Sequence, residues 1–198
     1  MRATCYRCHK PELTCICAEV PRVDNRTPIW LLQHKRERFH HVGTARIAQL
    51  GLRRVRCDVC YGSPLAPPVA VPEGTGVLYP GPDARPLEQL EAHALPRTLV
   101  VLDGTWHHAK TLFRDNAWLH PLPRVSLTPK TESNYRIRRE PAANCLSTIE
   151  AVVQALQILE PDTPGLDGLL SAFDAMIDRQ IRLATERRDE RLRAAPGS

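Results

Sequence analysis

Residues 99–106 read LVVLDGTW: four apolar residues, then an acid, a glycine, a hydroxyl and an indole. A short apolar run stopped by a glycine turn predicts a strand buried on both faces, as in a largely parallel sheet. The residues that follow, 105–116 (TWHHAKTLFRDN), read as a helix starting at once. In open α/β sheets, ligands sit beyond the carboxyl ends of the strands. Asp103, Gly104, Thr105 and Trp106 therefore fall where a ligand is expected.

Working outward, the neighbouring segments repeat this alternation. PIWLLQH (28–34) predicts a first core strand, followed by the charged loop KRERFHH. Residues 42–52 (VGTARIAQLGL) predict a helix that Thr44 can cap, with Ala45, Ile47, Ala48 and Leu50 apolar. VRCDVCYG (55–62) reads as a second strand, and GVLYP (76–80) as a short one ending in a turn at 80–83. Residues 86–95 read as helical. RVSLT (124–128) suggests a further strand, STIE at 147 opens a helix to about residue 160, and a last helix runs from Leu166 into ERRDERLR. Strands alternating with helices argue for an α/β fold: a mainly parallel sheet with helices on both faces. The expected division is a Cys-rich segment at 1–22, an α/β domain at 23–190, and a disordered tail at 191–198.

At 198 residues, with 42% hydrophobic and 25% charged residues, the chain suits one large domain with a small appendage. Its formal charge of +5 and pI near 9.0 suit a polyanionic partner. Of 27 basic residues only four are lysines, so arginine, which can grip phosphate in two-pronged fashion, carries the charge. No apolar run approaches the ~18 residues of a membrane span, and MRATCYRCHK lacks the apolar stretch of a signal peptide. A soluble, cytoplasmic protein is expected. In that compartment seven cysteines point to metal or free thiols rather than disulfides.

Four of them, Cys5, Cys8, Cys15 and Cys17, form C-x2-C-x6-C-x-C in a segment with no apolar period. Four thiolates on short loops fit tetrahedral zinc, and a coreless segment needs such a staple. No coordination position is left for catalysis, so the zinc is read as structural. Cys57 and Cys60 also form C-x2-C, but residues three apart in a strand face opposite sides, which opposes chelation. Cys145 reads as a core residue. Glycine-rich nucleotide loops and HExxH are absent from the sequence. His107 and His108 follow Trp106 on an early helical turn, where one can face the site. Ser147 and Glu150 form a capping box by spacing.

Two basic groups suit phosphate: Lys35, Arg36 and Arg38 after the first strand, with Arg46 in the following helix; and Lys130 with Tyr135, Arg136, Arg138 and Arg139. A solvated charged loop is the alternative reading of the second group.

Several of these segments together resemble the DTW domain family, which D-G-T-W (103–106) names. The Cys-rich opening CYRCHKPELTCIC, the run Gln33, His34, Glu37 and Gly43 to Arg46, LYPG (78–81), YRIR (135–138) and LSTIEA (146–151) occur in the family's order. Lys35 departs locally, where a proline is expected. The family is similar to SPOUT RNA methyltransferases, so the resemblance implies a C-terminal trefoil knot holding S-adenosylmethionine. Threaded connections are too rare for patterning alone to suggest one. It further implies transfer of the 3-amino-3-carboxypropyl group of that donor to N3 of a tRNA uridine, in the variable loop for bacterial members. Leu78, Tyr79, Pro80, Gly81, Leu146, Ser147 and Thr148 are then expected around the donor, together with Asp103, Gly104 and Thr105. Asp103 is the expected base for the N3 proton or the anchor of the donor's ammonium. Trp106 would stack on a base or bound the sulfonium. The competing readings are a methyltransferase, and a zinc-containing RNA-binding protein without chemistry. Either a monomer or a homodimer is compatible.

Overall fold

A computed structural model describes residues 3–40, 42–61, 67, 69–129, 133 and 146–194. Lys130, Tyr135, Arg136, Arg138, Arg139 and Cys145 lie outside the described residues. The strands are β1 (Ile29–His34), β2 (Val55–Cys60), β3 (Thr75–Leu78), β4 (Arg85–Pro86), β5 (Thr98–Asp103) and β6 (Arg124–Ser126). They form one sheet in the order β2-β1-β5-β3-β6-β4. Every pairing is parallel. Every residue of β5 is buried, which is why it reads as an unbroken apolar run.

Among the described residues, four helices cover the two faces: α1 (Ala45–Gly51), α2 (Trp106–Asp115), α3 (Thr148–Leu159) and α4 (Leu166–Ala194). Strand alternation divides the core between them. Ile29, Leu31, Leu99 and Val101 pack with α1, α3 and α4 through residues such as Ile47, Val152, Leu156 and Phe173. Trp30, Leu32, Val100 and Leu102 face the other way, against Ala109 and Leu112 of α2. The N-terminal segment joins the first core through Cys8 and Ile16. Arg179 of α4 holds it by donating to the Cys15 carbonyl and the Glu19 carboxylate. No helix among the described residues is long and apolar enough to cross a membrane.

Three local expectations are corrected. Residues 86–95 are not one helix: Arg85 and Pro86 form β4, and two 3-10 turns follow at Leu87–Gln89 and Ala92–Ala94. Leu90 and Glu91 between the turns are extended, which lets Leu87, Leu90 and Leu95 all pack against the core. Thr44 precedes α1 but is itself in the αR region and makes no side-chain cap bond. The tail expected from residue 191 begins as helix, because α4 reaches Ala194. Opposite charges at helical spacing, Arg182 with Glu186 and Asp189 with Arg193, favour that continuation. Residues 195–198 lie outside the described residues.

Candidate active site

Asp103 ends β5 with only 5% of its surface exposed. The parallel register sets Gln33 of β1 directly beside it, on the same face of the sheet. Gln33 Nε2 donates to Asp103 Oδ2 at 2.8 Å, and Thr148 Oγ1 donates to Oδ1 at 2.6 Å. Thr148 is the first residue of α3, whose N-terminus is fixed by the capping box read from STIE. Ser147 N–H donates to Glu150 at 2.7 Å, and Glu150 N–H to Ser147 Oγ at 3.4 Å. Two strands and a helix end thus determine the plane of one carboxylate.

The chain turns sharply after Asp103 into α2. Thr105 caps the helix by accepting from the His108 amide at 3.2 Å. A side chain at Gly104 has no room: its Cβ would lie 2.6 Å from the His108 Cβ. Gly104→Ala is expected to displace the first turn of α2 and destabilise the fold by about 1–3 kcal/mol, as overpacking does. A thermal melt checks this, and an unchanged midpoint would contradict the tight fit.

His108 Nδ1 donates to Glu37 Oε1 at 3.0 Å, and His34 stacks on the His108 ring with centroids 3.9 Å apart. Burial, and then the neighbouring His108, lower the pKa of His34. A neutral His34 stacks on its neighbour without charge repulsion. Of the two adjacent histidines, His107 faces the cavity while His108 is tied to Glu37.

In front of Asp103 lies a cavity of about 820 Å³. That is within the size range of small-molecule sites, roughly 300–1,000 Å³. Leu78, Tyr79 and Pro80 wall it at and beyond the end of β3, residues 103–107 at and beyond the end of β5, and Leu146, Ser147 and Thr148 at the start of α3. Gly81 is outside the lining, against Arg124. Tyr79 is braced by stacking on Phe113 of α2 at 4.3 Å. The three tryptophans separate cleanly. Trp30 donates to Asp58 at 2.7 Å and stacks on Trp118 at 5.1 Å, so both are structural. Trp106, 37% exposed, is the one that borders the cavity.

Sequence reasoning assigned no role to several lining residues. Ser126, Leu127, Thr128 and Pro129 line the cavity at and just beyond the end of β6. The rule that ligands sit past strand ends, applied to RVSLT, would have found them. Glu37 supplies a second buried carboxylate to the same cavity, and only its place between the QH pair and GTAR hinted at this.

Lys35, Arg36 and Arg38 are exposed together on the loop after β1. Arg46 is half-buried on α1 and donates to Gln49 at 2.8 Å, so it is not part of that exposed run.

At the N-terminus, the sulfur atoms of Cys5, Cys8, Cys15 and Cys17 all lie within 4.8 Å of one another. Cys5 and Cys17 are 3.8 Å apart, and Cys8 and Cys15 3.7 Å. Tetrahedral zinc with bonds of about 2.3 Å requires sulfurs about 3.8 Å apart. The cluster can hold a metal ion. Backbone amides of Cys8 and Arg7 hold the Cys5 thiol down to about 6, whereas burial raises Cys15 and Cys17. A bound cation offsets the cost of gathering four thiolates. Cys57 and Cys60 behave otherwise, packing against opposite cores. Burial pushes their thiols up to about 12 and about 11.

Residues 2–181 match the DTW domain. The chain belongs to the DTW domain family. It is 36% identical over 170 residues to tRNA-uridine aminocarboxypropyltransferase 2 of Drosophila melanogaster, covering 80% of this chain and 67% of that protein. The Macaca fascicularis and Mus musculus proteins of the same name are each 31% identical over 192 residues, covering 91% of this chain and 64% of theirs. The chain therefore spans about two thirds of the length of these relatives. No solved structure matches it. The DTW signature itself forms the sharp turn from β5 into α2, and its acid and indole both border the cavity.

Proposed function

We propose that this DTW domain protein transfers the 3-amino-3-carboxypropyl group of S-adenosylmethionine to N3 of a uridine in tRNA, in the variable loop. The single observation that carries the reading is the Asp103 carboxylate: buried, fixed by Gln33 and Thr148, and presented to a cavity large enough for the donor. N3 attacks the carboxypropyl carbon bonded to sulfur. The bond between that carbon and sulfur breaks, its electron pair stays on sulfur as a neutral thioether, and the N3 proton leaves to a base. Asp103 takes that proton or grips the donor's ammonium. Either duty needs an anion held at a fixed place.

Leu78 to Pro80 and Leu146 to Thr148 then hold the adenosine and carboxypropyl parts, and Gly104 and Thr105 shape the turn beside them. Trp106 stacks on the target base or closes the sulfonium face, where its ring favours positive charge. The SPOUT-like knot belongs to this proposal, and the parallel sheet and the converging strand ends are consistent with it. Zinc on Cys5, Cys8, Cys15 and Cys17 is structural, bracing residues 1–22 against the catalytic domain at 23–190. The work is done on tRNA in the cytoplasm, away from membranes.

Which carbon of the sulfonium faces N3 decides between this transfer and methylation. Donor labelled separately in the methyl and carboxypropyl carbons tests it directly. Carboxypropyl label should enter tRNA while methyl label does not, and the reverse pattern makes the protein a methyltransferase. A purely RNA-binding role leaves a buried acid in a donor-sized cavity without purpose.

Lys35, Arg36, Arg38 and Arg46, with Lys130, Tyr135, Arg136, Arg138 and Arg139, are proposed to contact RNA. Removing Arg136, Arg138 and Arg139 together is expected to weaken tRNA binding and to lower the salt slope by about 1 for each phosphate that an arginine neutralises. An unaltered slope would leave that run a solvated loop.

A further inference from the structure

Two aromatic rings lie open on the segments that follow the carboxyl ends of β1 and β2. Phe39 is 67% exposed and Tyr61 60%. Single exposed apolar residues are commonplace, but these two are joined. The Arg38 guanidinium lies 4.9 Å over the centre of the Phe39 ring and also donates to the Tyr61 hydroxyl. His9, from the Cys-rich segment, meets the Phe39 ring edge-on at 6.2 Å. The aromatics are therefore held in place while remaining uncovered.

Their position matters as much as their exposure. Glu37, one residue before Arg38, lines the cavity, and Gln33 at the end of the same strand holds Asp103. Lys35, Arg36 and Arg38 are all exposed on this loop, whereas Glu37 is turned inward and buried. The outer surface thus interleaves cations with open rings, and Arg38 and Phe39 border a small recess that shares Glu37 and Gly43 with the cavity. A polyanion with free apolar faces matches that pattern. Unpaired RNA has both, since phosphates meet the cations while bases stack on the rings. A duplex hides its base faces, and an apolar protein segment would leave three cations uncompensated.

We propose that Phe39 and Tyr61, bridged by Arg38, form a stacking platform for unpaired nucleotides flanking the target uridine. The inference rests on the tRNA reading above and adds to it a structural requirement: the target must have unstacked neighbours. Substrate choice is then partly a choice of loop conformation.

The test is equilibrium binding of tRNA, and of a single-stranded and a duplex RNA of equal length, by wild type, Phe39→Ala, Tyr61→Ala and Phe39→Trp. Each alanine variant is expected to bind tRNA and single strands about 5- to 150-fold more weakly. The salt slope should not change, because stacking releases no counterions. Phe39→Trp should bind at least as well as wild type, and since both rings are exposed the variants should melt like it. If wild type transfers to tRNA but both alanine variants bind RNA as it does, the platform is wrong and the functional reading survives. Equal wild-type affinity for single strand and duplex also overturns the platform alone. If wild type binds no RNA, platform and functional reading fall together.

Discussion

Asp103→Asn is expected to lower the transfer rate by roughly 10²- to 10⁴-fold, the usual scale for loss of a positioned acid–base group. The substitution keeps the shape of the side chain. Its new amide can accept from only one of the two donors, Gln33 or Thr148, that now reach both carboxylate oxygens. Two mechanisms predict that loss, and pH separates them. If the carboxylate removes the N3 proton, the variant binds S-adenosylmethionine almost normally and regains rate at high pH, where uridine ionises unaided. If it holds the donor's ammonium, donor affinity falls with the rate and high pH gives no rescue. S-adenosylhomocysteine keeps the aminocarboxypropyl group, so its affinity falls in parallel only in the second case. Full activity in Asp103→Asn would remove both roles.

The second large effect is expected at the cysteine cluster. Cys8 is 3% exposed and packs in the core shared by the N-terminal segment and the α/β domain. Cys8→Ser leaves three thiolates and is expected to release zinc, measured as metal per chain by elemental analysis. Protease cleavage should then appear within the first twenty or so residues, where the proposed zinc acts beside the Arg179 contacts and the packing of Ile16. The sheet and its helices should keep their circular dichroism, because strand and helix residues such as Leu31, Val101, Val152 and Phe173 make up most of the core that Cys8 joins. Cys57→Ser and Cys60→Ser should retain one zinc. Full occupancy in Cys8→Ser would overturn the assignment.

How far the sequence foretold this molecule depends on the range of the interaction. The β5 strand, the capping box at Ser147 and the cysteine spacing are legible because neighbouring residues satisfy them. The misread segment at 86–95 shows the limit: its leucines and polar residues permit a helix, yet Leu87, Leu90 and Leu95 all pack against the core and the chain is extended at Leu90 and Glu91 between two 3-10 turns. Glu37 shows a different limit. Its partner His108 is 71 residues away, and they meet only because β5 lies between β1 and β3. Strand order is a property of the whole sheet, and no local pattern encodes it. Lys10 is a similar case, a lysine in a charged-looking segment that is 2% exposed. Burial lowers it to about 8.

The central claim is that a buried acid at the end of β5 serves transfer of an aminocarboxypropyl group to a tRNA uridine. Mass spectrometry of nucleosides from bulk tRNA, in cells with and without this protein, tests it most directly. A uridine carrying the 3-amino-3-carboxypropyl group should disappear with the protein and return when wild type, but not Asp103→Asn, is restored. An unchanged amount of that nucleoside, or loss of a methylated one in its place, would contradict the account.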